Sequence, residues 1–160
     1  MSAKFVYLSR AKIQELEAEL KDLKTRGRKE IAQKIADARS HGDLRENADY
    51  DAAKEEQAHL ERRIAYLEDI LSRARTIDPK EFEPGVAALL TRVRVRNVKN
   101  GYEMEYVLVS PEESDINQNK ISVTSPVGKA LMGKREGETV KVKVPAGWLE
   151  LEILSVERVD

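Results

Sequence analysis

Apolar side chains fall at Ile13, Leu16, Leu20 and Leu23, then at Ile31, Ile35 and Ala38, with polar and charged residues between them. Spacing of three and four is that of a helix burying one stripe against a partner helix. Gly27 stands where the next apolar side chain is due. The rhythm resumes beyond it, so the pattern predicts one helix from Ser9 to about Ser40 with a local change of supercoil. Ser9 is placed to cap that helix, with Leu8 and Ile13 in the flanking staple positions. At ~1.5 Å per residue the helix is near ~48 Å long. A second stripe follows at Ala53, Leu60, Ile64, Leu67, Leu71 and Ala74, with Gln57 in one seam position. It predicts a second helix beginning between Asp43 and Asn47 and running to about Arg75. A connection of only a few residues makes the two helices antiparallel neighbours.

Residues 76–85 break the helical period with two prolines and a glycine. Beyond them the period is two. Thr91–Val98 alternates valine with arginine, Lys99-Asn100-Gly101 supplies a turn, and Tyr102–Val109 returns as the partner strand. Residues 112–120 read as a polar loop and Ile121–Val123 as a short strand. Ser125 caps a short helix with Pro126 in its first position and Gly133 just past its end. Thr139–Val144 and Trp148–Val156 complete four or five antiparallel strands around that helix. The expected fold is therefore α+β with two domains: a coiled-coil hairpin over residues 1–77, a linker over 78–85, and a sheet domain over 86–160.

Composition supports long exposed helices more than one large core, with 36% charged and only 5% aromatic residues among 160. Cysteine is absent, which excludes disulfides and thiolate metal sites. No apolar run has the length of a signal peptide or of a membrane span, so a soluble, cytoplasmic protein is expected. The net charge of −1 argues against a general nucleic-acid binder. Its distribution is uneven. Residues 21–39 carry seven basic and three acidic groups, whereas residues 40–61 carry two basic and seven acidic ones. Such a division describes either two solvated helix faces or a polarised rod with an acidic end.

Asp43 and Glu46 stand three residues apart at the expected tip of the hairpin. Asp-Leu-Arg-Glu is a capping-box pattern, in which Asp43 caps the second helix and Glu46 reaches back to its amide. The alternative is that both carboxylates face solvent and ligate a hard cation. Mg²⁺ commonly takes one or two carboxylates and completes its shell with water and phosphate oxygens. Two carboxylates on an exposed tip make no closed site, so an ion held there is shared with a second macromolecule.

The run from Ala38 to Gln57, with Gly42-Asp-Leu-Arg-Glu-Asn-Ala-Asp-Tyr50 at its centre, resembles the signature of the bacterial transcript-cleavage factors, the Gre family. Ile121–Lys134 and Val144-Pro-Ala-Gly147 carry a second and third match, and the resemblance extends in order over nearly the whole chain. It implies an antiparallel coiled coil followed by an FKBP-like domain. The implied activity is rescue of backtracked RNA polymerase by stimulating cleavage of the nascent RNA 3′ end, with polymerase as the catalyst and this chain not an enzyme by itself. It implies further that the second domain docks at the polymerase secondary channel, probed by the coiled coil. Asp43 and Glu46 then match the acids that share an Mg²⁺ with the polymerase active centre. Arg39 and Lys54 match a small basic patch facing RNA phosphates, while Arg45 lies between the acids and screens their repulsion. Ser125 and Pro126 match the loop that grips polymerase, although their place at a helix start already accounts for them. Thr124 departs from the acidic or amide residue of some relatives. A monomer is expected, and His41 and His59 read as surface residues without ligand partners. Competing readings are a channel-occupying antagonist without cleavage activity, a prolyl isomerase, and a coiled-coil chaperone that holds clients in its groove, against which the polar tip argues. Tyr102, Tyr106 and Trp148 are the only candidates for an aromatic pocket in the second domain.

Overall fold

The periodicities set out above are realised in a computed structural model that describes residues 4–40 and 48–160. In chain order the elements are β1 (Val6–Tyr7), α1 (Arg10–Asp22), α2 (Arg28–Ser40), α3 (Ala48–Arg73), β2 (Ala74–Arg75), β3 (Thr91–Asn97), β4 (Glu103–Val109), β5 (Lys120–Ser122), α4 (Pro126–Leu131), β6 (Thr139–Val144) and β7 (Gly147–Arg158). They form two compact units, one built on Ala11–Ala74 and the other on Phe5–Arg10 together with Arg75–Asp160.

In the helical unit, Leu16, Ile31 and Ala38 on one side and Ala53, Ile64, Leu67 and Ile70 on the other are buried. The single helix expected over 9–40 is interrupted. Leu23–Gly27 is a π-helical turn joining α1 to α2. A π-turn inserts one extra residue into a helix without ending it. That extra residue is what the apolar stripe needs, because Leu23, Gly27 and Ile31 follow one another at intervals of four. Glycine at the end of the turn lets α3 approach. A Cβ on Gly27 would meet Leu60 Cδ1 at 3.3 Å.

The uneven charge resolves into pairs across the hairpin. Lys24 Nζ reaches Glu68 at 3.2 Å, Arg28 reaches Glu61 at 2.9 Å, and Lys34 reaches Glu56 at 3.1 Å. Arg63 reaches back to Glu19 at 2.7 Å. From Lys24 through Arg28 to Lys34 the partner's number falls from 68 to 61 to 56, so these three pairs mark antiparallel register. Exposed pairs of this kind each contribute about 0–1 kcal/mol. They specify which residues face each other more than they hold the helices together.

The other unit is a five-stranded sheet in the order β5-β4-β3-β7-β6. Val93 opposes Tyr106 and Val95 opposes Met104 across β3 and β4, while Val140 opposes Leu151 across β6 and β7. The core-facing side chains pack with Leu131 of α4, and Val127 and Ala130 lie against the same cluster. The opposite face carries cross-strand ion pairs, among them Arg94–Glu103 and Arg96–Glu152. The period-two alternation seen in the sequence is this division between the two faces. Two details depart from a plain antiparallel meander. β5 runs parallel to β4, because Ser110–Asn119 carries the chain back through two short 3₁₀ turns to pair Lys120 with Val107. A bulge opposite Arg94 and Val95 shifts the phase of β7, so Ile153 and Val156, three residues apart, both reach the core.

Glu113, expected in a polar loop, is a buried carboxylate with 2% exposure. Its Oε1 accepts from the Ser9 amide at 3.0 Å, and its Oε2 accepts from the Ser9 hydroxyl at 2.5 Å. Lys120 Nζ stands 3.6 Å away. Nearby, the Ser110 hydroxyl donates to the Tyr7 carbonyl at 2.8 Å. These bonds fasten Phe5–Arg10 to the sheet unit. Glu113→Ala leaves the Ser9 amide without this acceptor and is expected to destabilise the protein by about 2–3 kcal/mol. A urea unfolding midpoint that does not move would show that the clasp contributes nothing.

Candidate functional site

Asp43, Arg45 and Glu46, with His41, lie outside the described residues. The flanking helices define what stands on either side of them. Arg39 occupies the last turn of α2, and Tyr50 lies in the first turn of the described part of α3. The Arg39 Nη2 donates to the Tyr50 hydroxyl at 3.3 Å, and the guanidinium carbon stands 5.5 Å from the ring centroid. That distance is within reach of a cation–π contact. The bond from Arg39 holds the Tyr50 phenol below its ordinary pKa, with Lys54 acting in the same direction and Asp51 opposing. Lys54 follows Tyr50 by four residues and therefore projects from the same side of α3. Its Nζ donates to Gln57 Oε1 at 3.0 Å. Arg39 and Lys54 are exposed and Tyr50 is half-buried.

Two of the expected basic-patch residues thus stand on opposite helices with an aromatic ring between their positions. Tyr50 was not among the residues singled out from the sequence. The signal available there was its four-residue interval to Lys54 and its place within the Asp43–Lys54 run. Among the described residues, no group of three or more His, Asp or Glu side chains is arranged to hold a metal.

Ser125 and Pro126 belong to the sheet unit, where their local roles are firm. Ser125 Oγ donates to the Ser122 carbonyl at 2.6 Å and accepts the Gly128 amide at 3.1 Å, capping α4, while Pro126 fills its first turn. Thr124 joins the same turn through an Oγ1 contact of 2.7 Å with Ser122 Oγ. Ser125 and Pro126 follow the Ser122–Thr124 turn directly, at the start of an α4 of only six residues.

The aromatic residues weighed for an isomerase pocket do not converge. Tyr106 packs against the core, and burial pushes its phenol pKa up. Trp148 alternates with Leu149 and Leu151 and lies on the ion-paired face with Glu150 and Glu152, 61% exposed. Tyr102 is 72% exposed at a strand end.

Comparison with known proteins covers both units. Residues 6–76 match the model described as transcription elongation factor, N-terminal, and residues 83–158 match transcription elongation factor, GreA/GreB, C-term. The chain is 47% identical over 151 residues to the transcription elongation factor GreA of Chloroherpeton thalassium, spanning 94% of this chain and 96% of that one. It is 46% identical over 156 residues to the GreA of Flavobacterium johnsoniae, spanning 98% and 99%. Among solved structures, a GreA factor homolog 1 (Gfh1) of Thermus thermophilus is similar at 30% identity, with coverage of 96% and 99% and a TM-score of 0.45.

Proposed function

The chain belongs to the GreA/GreB family of transcription elongation factors, and from that premise we propose that it rescues backtracked RNA polymerase by stimulating polymerase's own cleavage of the nascent RNA 3′ end. The observation that supports this reading is the match of both units to the family, with Asp43 and Glu46 falling in the sequence between Ser40 and Ala48. The sheet unit docks at the rim of the secondary channel through the Ser125–Pro126 turn, and the hairpin end enters the channel. The protein works as a monomer and is no nuclease alone.

Asp43 and Glu46 are hard oxygen donors, and one or two carboxylates are what Mg²⁺ commonly takes from a protein. The donor set therefore fits an Mg²⁺ shared with polymerase and fits neither a closed site nor a soft metal. When bound, that ion supplies charge stabilisation of the attacking or leaving oxygen in phosphodiester hydrolysis. The chain's own residues bind and orient. Asp43 and Glu46 offer carboxylates at the reacting end, Arg45 moderates their repulsion, and Arg39 and Lys54 meet RNA phosphates.

The test is a reconstituted, backtracked elongation complex carrying labelled RNA. Adding the protein is expected to release a short 3′ fragment, and chelating Mg²⁺ is expected to stop the release. Binding without release would overturn the reading in favour of a regulator that only occupies the channel.

A further inference from the structure

Arg39, Tyr50 and Lys54 present a cation, an aromatic ring and a second cation at one end of the hairpin. We propose that the Tyr50 ring is a stacking platform for a base of the displaced RNA 3′ segment, with Arg39 and Lys54 holding the phosphates on either side of it. The proposal rests on the functional reading above and adds a residue that reads the nucleotide rather than the backbone.

Three observations carry it. Tyr50 is half-buried, so it is held at the hairpin end yet retains exposed surface. Arg39 approaches it both through the hydroxyl and over the ring, which fixes a planar guanidinium beside an aromatic plane. Lys54 lies on the same side of α3 as Tyr50, whereas the acidic neighbours Asp49 and Asp51 project about 100° to either side along the helix. Single-stranded nucleic acid is bound elsewhere in nature by this combination, with cations tracking the phosphates and aromatic or guanidinium planes taking the bases. Any base has a π-face, so such a platform serves RNA of any sequence, as a factor acting on arbitrary transcripts requires.

Fragment release is measured for the wild type, Tyr50→Leu and Tyr50→Phe on backtracked complexes, with the displaced 3′ nucleotides either intact or abasic. Tyr50→Leu is expected to lower the maximal rate about 10-fold on intact RNA, the scale of one lost stacking contact, without shifting the concentration that gives half the maximal rate. Tyr50→Phe should restore most of that loss, since the ring rather than the hydroxyl is used. On abasic RNA the wild type and Tyr50→Leu should cleave at the same rate. Equal losses on intact and abasic RNA would overturn the proposal, because a purely structural tyrosine would behave so. A shift in half-saturation with no change of maximal rate would also overturn it and place the ring against polymerase protein. If the wild type releases no fragment from intact RNA, the functional reading falls first and this proposal with it. Release that is indifferent to Tyr50 sinks the proposal alone.

Discussion

Asp43→Asn is expected to reduce fragment release from a backtracked complex by at least about 100-fold, the scale on which one preorganised electrostatic group lowers a rate constant, while binding to polymerase stays nearly unchanged. The substitution separates the two readings of the Asp43-Leu-Arg-Glu46 sequence. Asparagine caps a helix as well as aspartate does, so a residue that only capped α3 would lose almost nothing. A carboxylate that shares a divalent cation loses its charge and, with it, most of its affinity for the ion. The readout is the single-turnover rate at saturating factor, accompanied by a competition measurement of binding. Release at the wild-type rate would return Asp43 to a capping role.

Gly128→Ala is the substitution expected to cost most stability, about 3–4 kcal/mol from forced overpacking together with a disturbed helix cap. A Cβ on Gly128 would overlap the Ser122 carbonyl oxygen and stand 2.9 Å from Ser125 Oγ. Neither neighbour can move cheaply. The Ser122 carbonyl already accepts the Ser125 amide at 3.0 Å and the Ser125 hydroxyl at 2.6 Å. The obstacle is therefore a hydrogen-bonded backbone group rather than the end of a flexible chain. Urea unfolding should show the lower midpoint, and a shift worth less than about 0.5 kcal/mol, ordinary for a surface change, would mean that the turn relaxes freely. Because Ser125 and Pro126 sit on this turn, the same variant should also bind polymerase more weakly.

Legibility in the sequence followed how local each feature is. The hairpin and the alternating strands were readable because side-chain period alone fixes them. Gly27 was readable as a slip, but not as a π-turn, since an interval of four at Leu23, Gly27 and Ile31 suits a coiled-coil stutter equally well. The charge division was visible, yet its meaning depended on which acid faces which base across the hairpin. Glu113 could not be told from Glu112 beside it, because its burial is set by Ser9 more than a hundred positions away. The parallel course of β5 was hidden for a related reason. Nothing in Lys120–Ser122 itself says from which direction it meets β4. At the candidate site, Arg39 and Lys54 were named from the family signature; the interval of four set Tyr50 beside Lys54, but its contact with Arg39 became legible only once the two helix ends were placed side by side.

The Ser9–Glu113 clasp has a consequence for the order in which a growing chain becomes protein. Its two partners are separated by 104 positions. At the ~5–20 residues per second of synthesis, the first segment of the sheet unit waits roughly 5–20 s for the acid that fastens it. Over the same interval both helices of the hairpin leave the ribosome, and their shorter-range contacts are free to form. The Leu8 amide meets the Arg75 carbonyl at 3.0 Å first, and Glu113 completes the attachment later. A cotranslational pause before Glu113 would prolong the time for which Val6 and Leu8, both buried in the finished protein, stay open to chaperones or to misassembly.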